Sequence, residues 1–275
     1  LPSQIHQIQN DQLPLFNGAT SANLNQIIKY LDDFKPDLKK DKLGGLLKIK
    51  HKSHFLILDI DKPPQKKFSK SYQSGPLSFE YFLDGVKIIT NSGFGKHISK
   101  KIELISRHTA CQSTLSINDT SITKFEKNEI VSKIFGNSIQ NSFKSFNIYL
   151  KNDGNFVGCS ASNNGYEKRF GCIHKREIYL DKDNGYLKGI DHIFKEKDGY
   201  PIRYAFRFHI NPELSVVKTM SGNSALIQIS KNKSLIFTIN DENLEVEKSI
   251  FLAEKKIIDS SCITISGNLV NKNKI

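Results

Sequence analysis

Two polar blocks bracket a hairpin and hold most of the side chains that could do chemistry. Tyr72-Gln-Ser-Gly-Pro-Leu-Ser-Phe79 leads into an apolar run, an Asp84-Gly85 turn and a second run that ends at Asn91-Ser-Gly93. Ser106-Arg-His-Thr-Ala-Cys-Gln-Ser-Thr-Leu115 follows. Strands that hold position beside loops that hold polar groups are a common way for an all-β domain to meet a ligand. Arg107 can fork onto a carboxylate, with His108 beside it as donor or acceptor. The competing reading of both is an exposed loop pair. Further on, Tyr166 and Arg169 flank the amides Asn163-Asn164. A ring beside a cation suits stacking on a sugar together with pairing to its carboxylate, whereas the plain alternative makes Tyr166 a core residue with its hydroxyl satisfied. His174 lies in an alternating run, Ile173 to Leu180, and reads as a marker of one strand face. Arg207 and His209 alternate with Phe206 and Phe208, which predicts a solvated polar face for both.

These groups need a scaffold, and the chain spells one out as strands. From Lys48 onward, short runs rich in Ile, Phe, Val, Tyr and Leu alternate with turn sequences such as Asp183-Asn-Gly185 and Lys197-Asp-Gly199. The runs include His54 to Ile60, Leu77 to Leu83, Val86 to Thr90, Phe146 to Leu150, Tyr166 to Cys172, Ile202 to Ile210 and Leu244 to Leu252. Many short strands without intervening helices predict a large antiparallel sandwich, because one-sided apolar strands must be buried sheet on sheet. One helix is expected. Ser21 can cap it, and Leu24, Ile27, Ile28 and Leu31 share a face before Pro36. Residues 1–42 therefore read as the tail of a preceding helical domain plus a linker, and 43–275 as the sandwich.

Composition narrows the partners. The 275 residues carry 40 Lys+Arg against 28 Asp+Glu, a net charge of +12, which favours an anionic partner. Much of that charge is lysine scattered along the chain, so a solvated basic surface competes with this reading. Cys111, Cys159, Cys172 and Cys262 form no C-x-x-C pair and are expected as buried free thiols. No apolar run reaches the roughly 20 residues a membrane span needs. The chain begins at Leu1 and its one methionine is Met220, so it reads as a fragment of a longer protein. Phosphate loops and nucleophile elbows are absent. A chain this long and strand-rich is not a small OB-type module, and no nucleic-acid partner is expected.

Several segments occur in a telling order: Leu13-Pro-Leu-Phe-Asn-Gly18, Phe55-Leu-Ile-Leu-Asp59 with Pro63-Pro64, Gly75-Pro-Leu-Ser-Phe-Glu80, Asn91-Ser-Gly93, Arg107-His-Thr-Ala-Cys-Gln-Ser-Thr-Leu115 and Asn118-Asp-Thr-Ser121. Gly165-Tyr166, Arg169-Phe-Gly-Cys-Ile-His174 and Arg207-Phe-His209 continue it. In this order and spacing the chain resembles heparinase II/III-like proteins, especially their proteobacterial branch. The resemblance implies a polysaccharide lyase with an N-terminal α/α toroid followed by a C-terminal supersandwich-like β-sandwich, the part present here. Such enzymes cut acidic, uronate-containing polysaccharide by β-elimination, with the base carried largely by the toroid. The sandwich would form one wall of the cleft, and the fragment alone would be inactive.

The chain departs from the family pattern at its imidazoles. Gln73-Ser-Gly75 stands where a His-Ala-Asp stretch is frequent, Asn91 where a metal-binding Asp is, and Gln112 and Asn163 where histidines are. An amide is neither a base nor a good zinc ligand. The family metal positions thus fall near Gln73, Asn91 and Gln112, and no zinc or other cofactor is expected. Gln73, Arg107, His108, Gln112, Asn163, Tyr166 and Arg169 are the expected substrate-binding residues, with acidic polysaccharide and the toroid as partners and the periplasm or cell envelope as location. The alternative is a catalytically silent carbohydrate-binding or scaffolding sandwich.

Overall fold

The computed structural model describes residues 12–20, 41–195, 200–240 and 243–270. The expected helix over Leu24 to Leu31 lies outside them.

Every ladder is antiparallel, as the turn-punctuated strand pattern requires. The largest sheet contains β1 (Lys42–Leu43), β2 (Leu46–His51), β3 (His54–Asp59), β4 (Phe79–Leu83), β5 (Val86–Thr90), β6 (Leu115–Ile117), β11 (Ile202–Ile210), β15 (Leu244–Leu252) and β16 (Ile257–Leu269). Its order is β1-β2-β3-β4-β5-β11-β16-β15, with β6 also paired to β11. A four-stranded sheet of β7 (Ser145–Asn152), β8 (Phe156–Tyr166), β9 (Cys172–Asp181) and β10 (Leu187–Lys195) runs in the order β10-β9-β8-β7. A small third sheet consists of β12 (Ser215–Lys218), β13 (Ser224–Ser230) and β14 (Lys233–Thr238).

One core joins the three sheets. Leu56, Leu58, Phe79 and Phe208 of the large sheet meet Ile178 and Leu180 of the second and Ala225 and Ile227 of the third. β3 is buried at every residue, which a strand covered on one side only could not be. Its Phe55 and Ile57 face away from the main core and join Leu46, Phe82 and Phe16 in a second cluster. Residues 12–20 thus form a lid over the back of β2, β3 and β4. Burying a side chain such as Phe16 contributes roughly 1.5–3 kcal/mol.

Three local findings differ from the expected elements. Two further helices are present, α1 (Lys100–Ser106) and α2 (Glu129–Phe135). Their caps are the physical reason: the Ser99 hydroxyl accepts from Ile102 N, and Asn128 Oδ1 accepts from Ile130 N and Val131 N. Residues 166–172 are not a strand throughout. A single turn of helix, α3 (Glu167–Phe170), interrupts them and ends at Gly171 with φ +65°. β8 appears where few branched residues announce it. Its Phe156-Val-Gly-Cys-Ser-Ala-Ser-Asn-Asn-Gly-Tyr166 is built of small side chains, and a Cβ on Gly158 would lie 2.1 Å from the Ile178 carbonyl oxygen. The four cysteines are buried and unpaired.

Candidate functional site: an amide junction and a cationic rim

Gln73, Asn91 and Gln112 come together at one end of the large sheet, and all three are buried. Gln73 Nε2 donates to Gly93 O at 2.9 Å and to Ser106 O at 3.1 Å, and Gln112 Nε2 donates to the same Ser106 carbonyl at 3.1 Å. Carbonyls accept only, so both amides are oriented with their nitrogens inward. Gln73 Oε1 accepts from Gly18 N at 3.0 Å. That contact needs glycine: Gly18 sits at φ +91°, and a Cβ there would meet Ser71 Cβ at 2.6 Å. Asn91 Oδ1 accepts from Ser113 N at 2.9 Å, while its Nδ2 has no partner among the described residues.

A charged pair stands next to these amides. Glu80 Oε1 accepts from Leu15 N, Thr90 Oγ1 and Asn91 N, and Oε2 pairs with Lys87 Nζ at 2.8 Å. Lys87 in turn donates to Leu13 O at 3.0 Å. Both ions are buried, and they fasten residues 12–20 from the same side as Gln73. Glu80 closes the Gly75-Pro-Leu-Ser-Phe-Glu80 segment, and sequence order alone assigns it no role. The signal was there in Phe79-Glu-Tyr-Phe-Leu83 and Val86-Lys-Ile-Ile-Thr90, each an apolar strand interrupted by one charge of opposite sign.

Arg107 has no exposed surface. Its Nε donates to Tyr72 O at 2.9 Å, Nη1 to Asn137 O at 2.7 Å and Nη2 to Ser69 O at 2.8 Å, with the guanidinium 4.1 Å from the Phe125 ring centre. Burial pushes its pKa down to about 10, which leaves it charged at neutral pH. In this arrangement the fork is closed onto backbone oxygen, and a substrate carboxylate has no face of it to meet.

The next residue behaves differently. His108 is exposed, with its ring edge-on to Phe125 at 5.9 Å. Partial burial, then the charges of Arg107 and Lys127, lower its pKa. Thr109 N donates to Ser121 Oγ, and Arg169 Nη1 donates to Ser121 O at 3.1 Å, so His108 and Arg169 flank one loop. Tyr166 is buried beneath that loop and donates to Thr120 O at 2.6 Å, the core role with a satisfied hydroxyl. Asn163 is buried in β8. Its Nδ2 donates to Ser145 Oγ and its Oδ1 accepts from Gly165 N. Asn163 and Tyr166 position the rim without facing solvent.

One expectation about another residue is corrected. His209 is not on a solvated face. It is buried, Nε2 donates to Ala110 O at 3.0 Å, and Nδ1 lies 3.0 Å from Ser249 Oγ. The segment around the Thr109–Cys111 turn covers that face of β11, and burial pushes the imidazole pKa down to about 4. His174 is also buried, bonded to Asp191 at 2.7 Å. Arg176 binds the same carboxylate through Nε and Nη2 and reaches Leu77 O and Ser113 O through Nη1. This pair pins β9 and β10 to the loops before β4 and β6. It was not foreseen, because alternation in a strand does not reveal which polar residues are covered.

The junction does not fit zinc. Gln73 Oε1 and Asn91 Oδ1 accept backbone N–H groups, the Gln73 and Gln112 nitrogens point at carbonyls, and three neutral amides offer no imidazole, thiolate or carboxylate to the metal. Among the described residues no group of three or more His, Cys, Asp or Glu could hold a metal ion.

The fold is an antiparallel β-sandwich whose strand ends carry a buried polar junction beside a rim with exposed His108 and half-buried Arg169. Residues 35–274 match the family model for the heparinase II/III-like C-terminal domain, and the chain belongs to that family. A mutant of the heparan sulfate lyase HepC from Pedobacter heparinus superposes with a TM-score of 0.74 at 14% identity, over 98% of this chain and 44% of that one. The unmutated HepC from Pedobacter heparinus gives 0.72 at 14% identity, covering 97% and 43%. A heparinase III gives 0.66 at 14% identity, covering 99% and 45%. The chain thus spans a little under half the length of these solved structures. No curated protein matches it.

Proposed function

We propose that this domain forms one wall of the substrate cleft of a polysaccharide lyase that cuts uronate-containing polymer by β-elimination. The reaction asks for a base to take the proton α to the uronate carboxylate, neutralisation of that carboxylate, and an acid for the leaving glycosidic oxygen. In this proposal the base comes from a preceding α/α toroid, and the sandwich contributes the Arg169 cation, with the His108 imidazole as a neutral hydrogen-bonding partner, to hold the polymer. The rim carries the reading. Arg169 uses one nitrogen on Ser121 O and has its remaining donors open among the described residues, with exposed His108 across the loop. A guanidinium with open donors can take a carboxylate bidentately. Family membership and the +12 charge of the chain support the same partner. Large acidic polymers lie outside the cytoplasm, so the parent would work in the periplasm or cell envelope.

The buried amides favour a second reading, a carbohydrate-binding or scaffolding sandwich without catalysis, since Gln73, Asn91 and Gln112 offer neither base nor metal. Eliminative cleavage by the full-length parent separates the two. Ultraviolet absorption from unsaturated uronate ends, on any member of a broad panel of uronate polymers, supports the lyase. Silence across the panel, with polymer binding retained, supports the binding domain. The 275-residue chain alone is expected to be inactive in either case.

A further inference from the structure

A second cleft, away from the rim, has a chemistry that the polymer reading does not use. It encloses about 780 Å³ beside the end of β3, between residues 61–72 and 139–143. Asp59, from the Phe55-Leu-Ile-Leu-Asp59 motif, lines it and is 5% exposed. One long hydrogen bond reaches its carboxylate, from Asp61 N to Oδ1 at 3.4 Å. Although the chain carries a net +12, no cation pairs with Asp59 among the described residues. The nearest charge is that of Asp61, of the same sign, while Lys62 and Lys66 line the cleft without pairing to it. Tyr72 is the second observation. It is 4% exposed, lines the same cleft and makes no side-chain hydrogen bond among the described residues, yet its hydroxyl lies within electrostatic reach of both Asp59 and Asp61. Its ring lies 6.3 Å from that of Phe143, and Phe68 stands exposed on the same lining.

The Asp59 carboxylate and the Tyr72 hydroxyl open onto the cleft, and a mostly buried carboxylate that faces a cleft without a counter-ion is placed to take one from a ligand. An ammonium has three donors and no acceptor. We propose that this cleft binds a small molecule bearing an ammonium group on an apolar or aromatic frame, with Asp59, Asp61 and the Tyr72 hydroxyl accepting its N–H groups and Phe68 and Phe143 meeting the frame. Cation–π attraction to the Tyr72 ring adds to the pairing. Burial, opposed by the Asp61 N–H and assisted by the Asp61 charge, pushes Asp59 up to about 7. The carboxylate therefore forms across neutral pH, and ammonium binding tightens as pH rises from 6 to 8.

Benzylamine, with benzyl alcohol as its neutral isostere, tests the assignment on the 275-residue chain by NMR titration. At pH 8 the amine is expected to bind about tenfold or more tighter than the alcohol, a step worth about 1.4 kcal/mol. Asp59→Asn should remove about that factor for the amine alone, and Tyr72→Phe a smaller part of it. His108→Ala should change neither affinity. In the unmodified chain, amine affinity should fall severalfold from pH 8 to pH 6 while alcohol affinity holds. Equal affinities for amine and alcohol at pH 8, binding of neither, or an amine preference that survives Asp59→Asn would overturn the proposal. It uses no residue of the rim, so its failure leaves the polymer reading standing.

Discussion

Arg107 and His108 are neighbours in sequence and opposites in use. Arg107 is closed onto three backbone carbonyls and has no exposed surface, whereas His108 is exposed and shares the Ser121 loop with Arg169. The same contrast separates the amide junction from the rim. Apart from Asn91 Nδ2, the junction spends most of its polar atoms on backbone groups of residues 13–18, 93, 106 and 113, and so holds together parts of the chain remote in sequence. The rim leaves donors free. A buried polar group that is fully paired specifies structure, and one with open valence can read a ligand. Stability should therefore reside in the first region and polymer affinity in the second.

The most disruptive way to break the contrast is Arg107→Ala. It leaves the carbonyls of Ser69, Tyr72 and Asn137 without this donor and should cost about 3–5 kcal/mol, read as a drop in the urea midpoint. Gln73→Ala comes next, at about 1–3 kcal/mol, because Gly18 N and the carbonyls of Gly93 and Ser106 lose their partner together. Residues 12–20 should then become more open to proteolysis near Phe16, at a rate that the same assay on Arg169→Ala does not show.

Arg169→Ala should change stability by no more than about 0.5 kcal/mol and weaken acidic-polymer binding severalfold. The smallest effect is a titration. Proton NMR should find His108 titrating somewhat below the ordinary histidine value and His209 holding neutral down to about pH 4. The sign of the linkage follows: the unfolded chain takes up a proton at His209 near its ordinary 6.5 that the folded one refuses. That stability contribution is full above pH 6.5 and is lost as pH falls toward 4.

How much of this was legible depended on which physical signal each element carries. β3, β4, β5 and β11 are runs of large branched and aromatic residues and announce themselves. β8 does not, because its packing against Ile178 and Ile122 demands Gly158 and Gly165, residues that ordinarily read as loop. α1 and α2 are seven residues each, too short for periodicity to stand out, and only their caps mark them. Family order named Gln73, Asn91 and Gln112 together, and in the fold Gln73 and Gln112 share the Ser106 carbonyl while Asn91 holds Ser113 N. What no pattern supplied was their burial. That depends on residues 12–20 and the Thr109–Cys111 turn folding over the strand ends, a tertiary event invisible to alternation. The same cause moved His209 from an expected solvated face to an interior one. Asp59 ends the Phe55-Leu-Ile-Leu-Asp59 run, but that no cation among the described residues pairs with it can be seen only once its neighbours are in place.

The central claim is that the rim binds acidic polymer and the junction does not. The most direct test is the affinity of the 275-residue chain for a soluble uronate polymer at physiological ionic strength, before and after His108→Ala with Arg169→Ala, with thermal unfolding measured alongside. The expected result is a loss of about tenfold or more in affinity at an unfolding temperature shifted by no more than about 2 °C. Unchanged affinity in a variant that folds as well as the parent would contradict it.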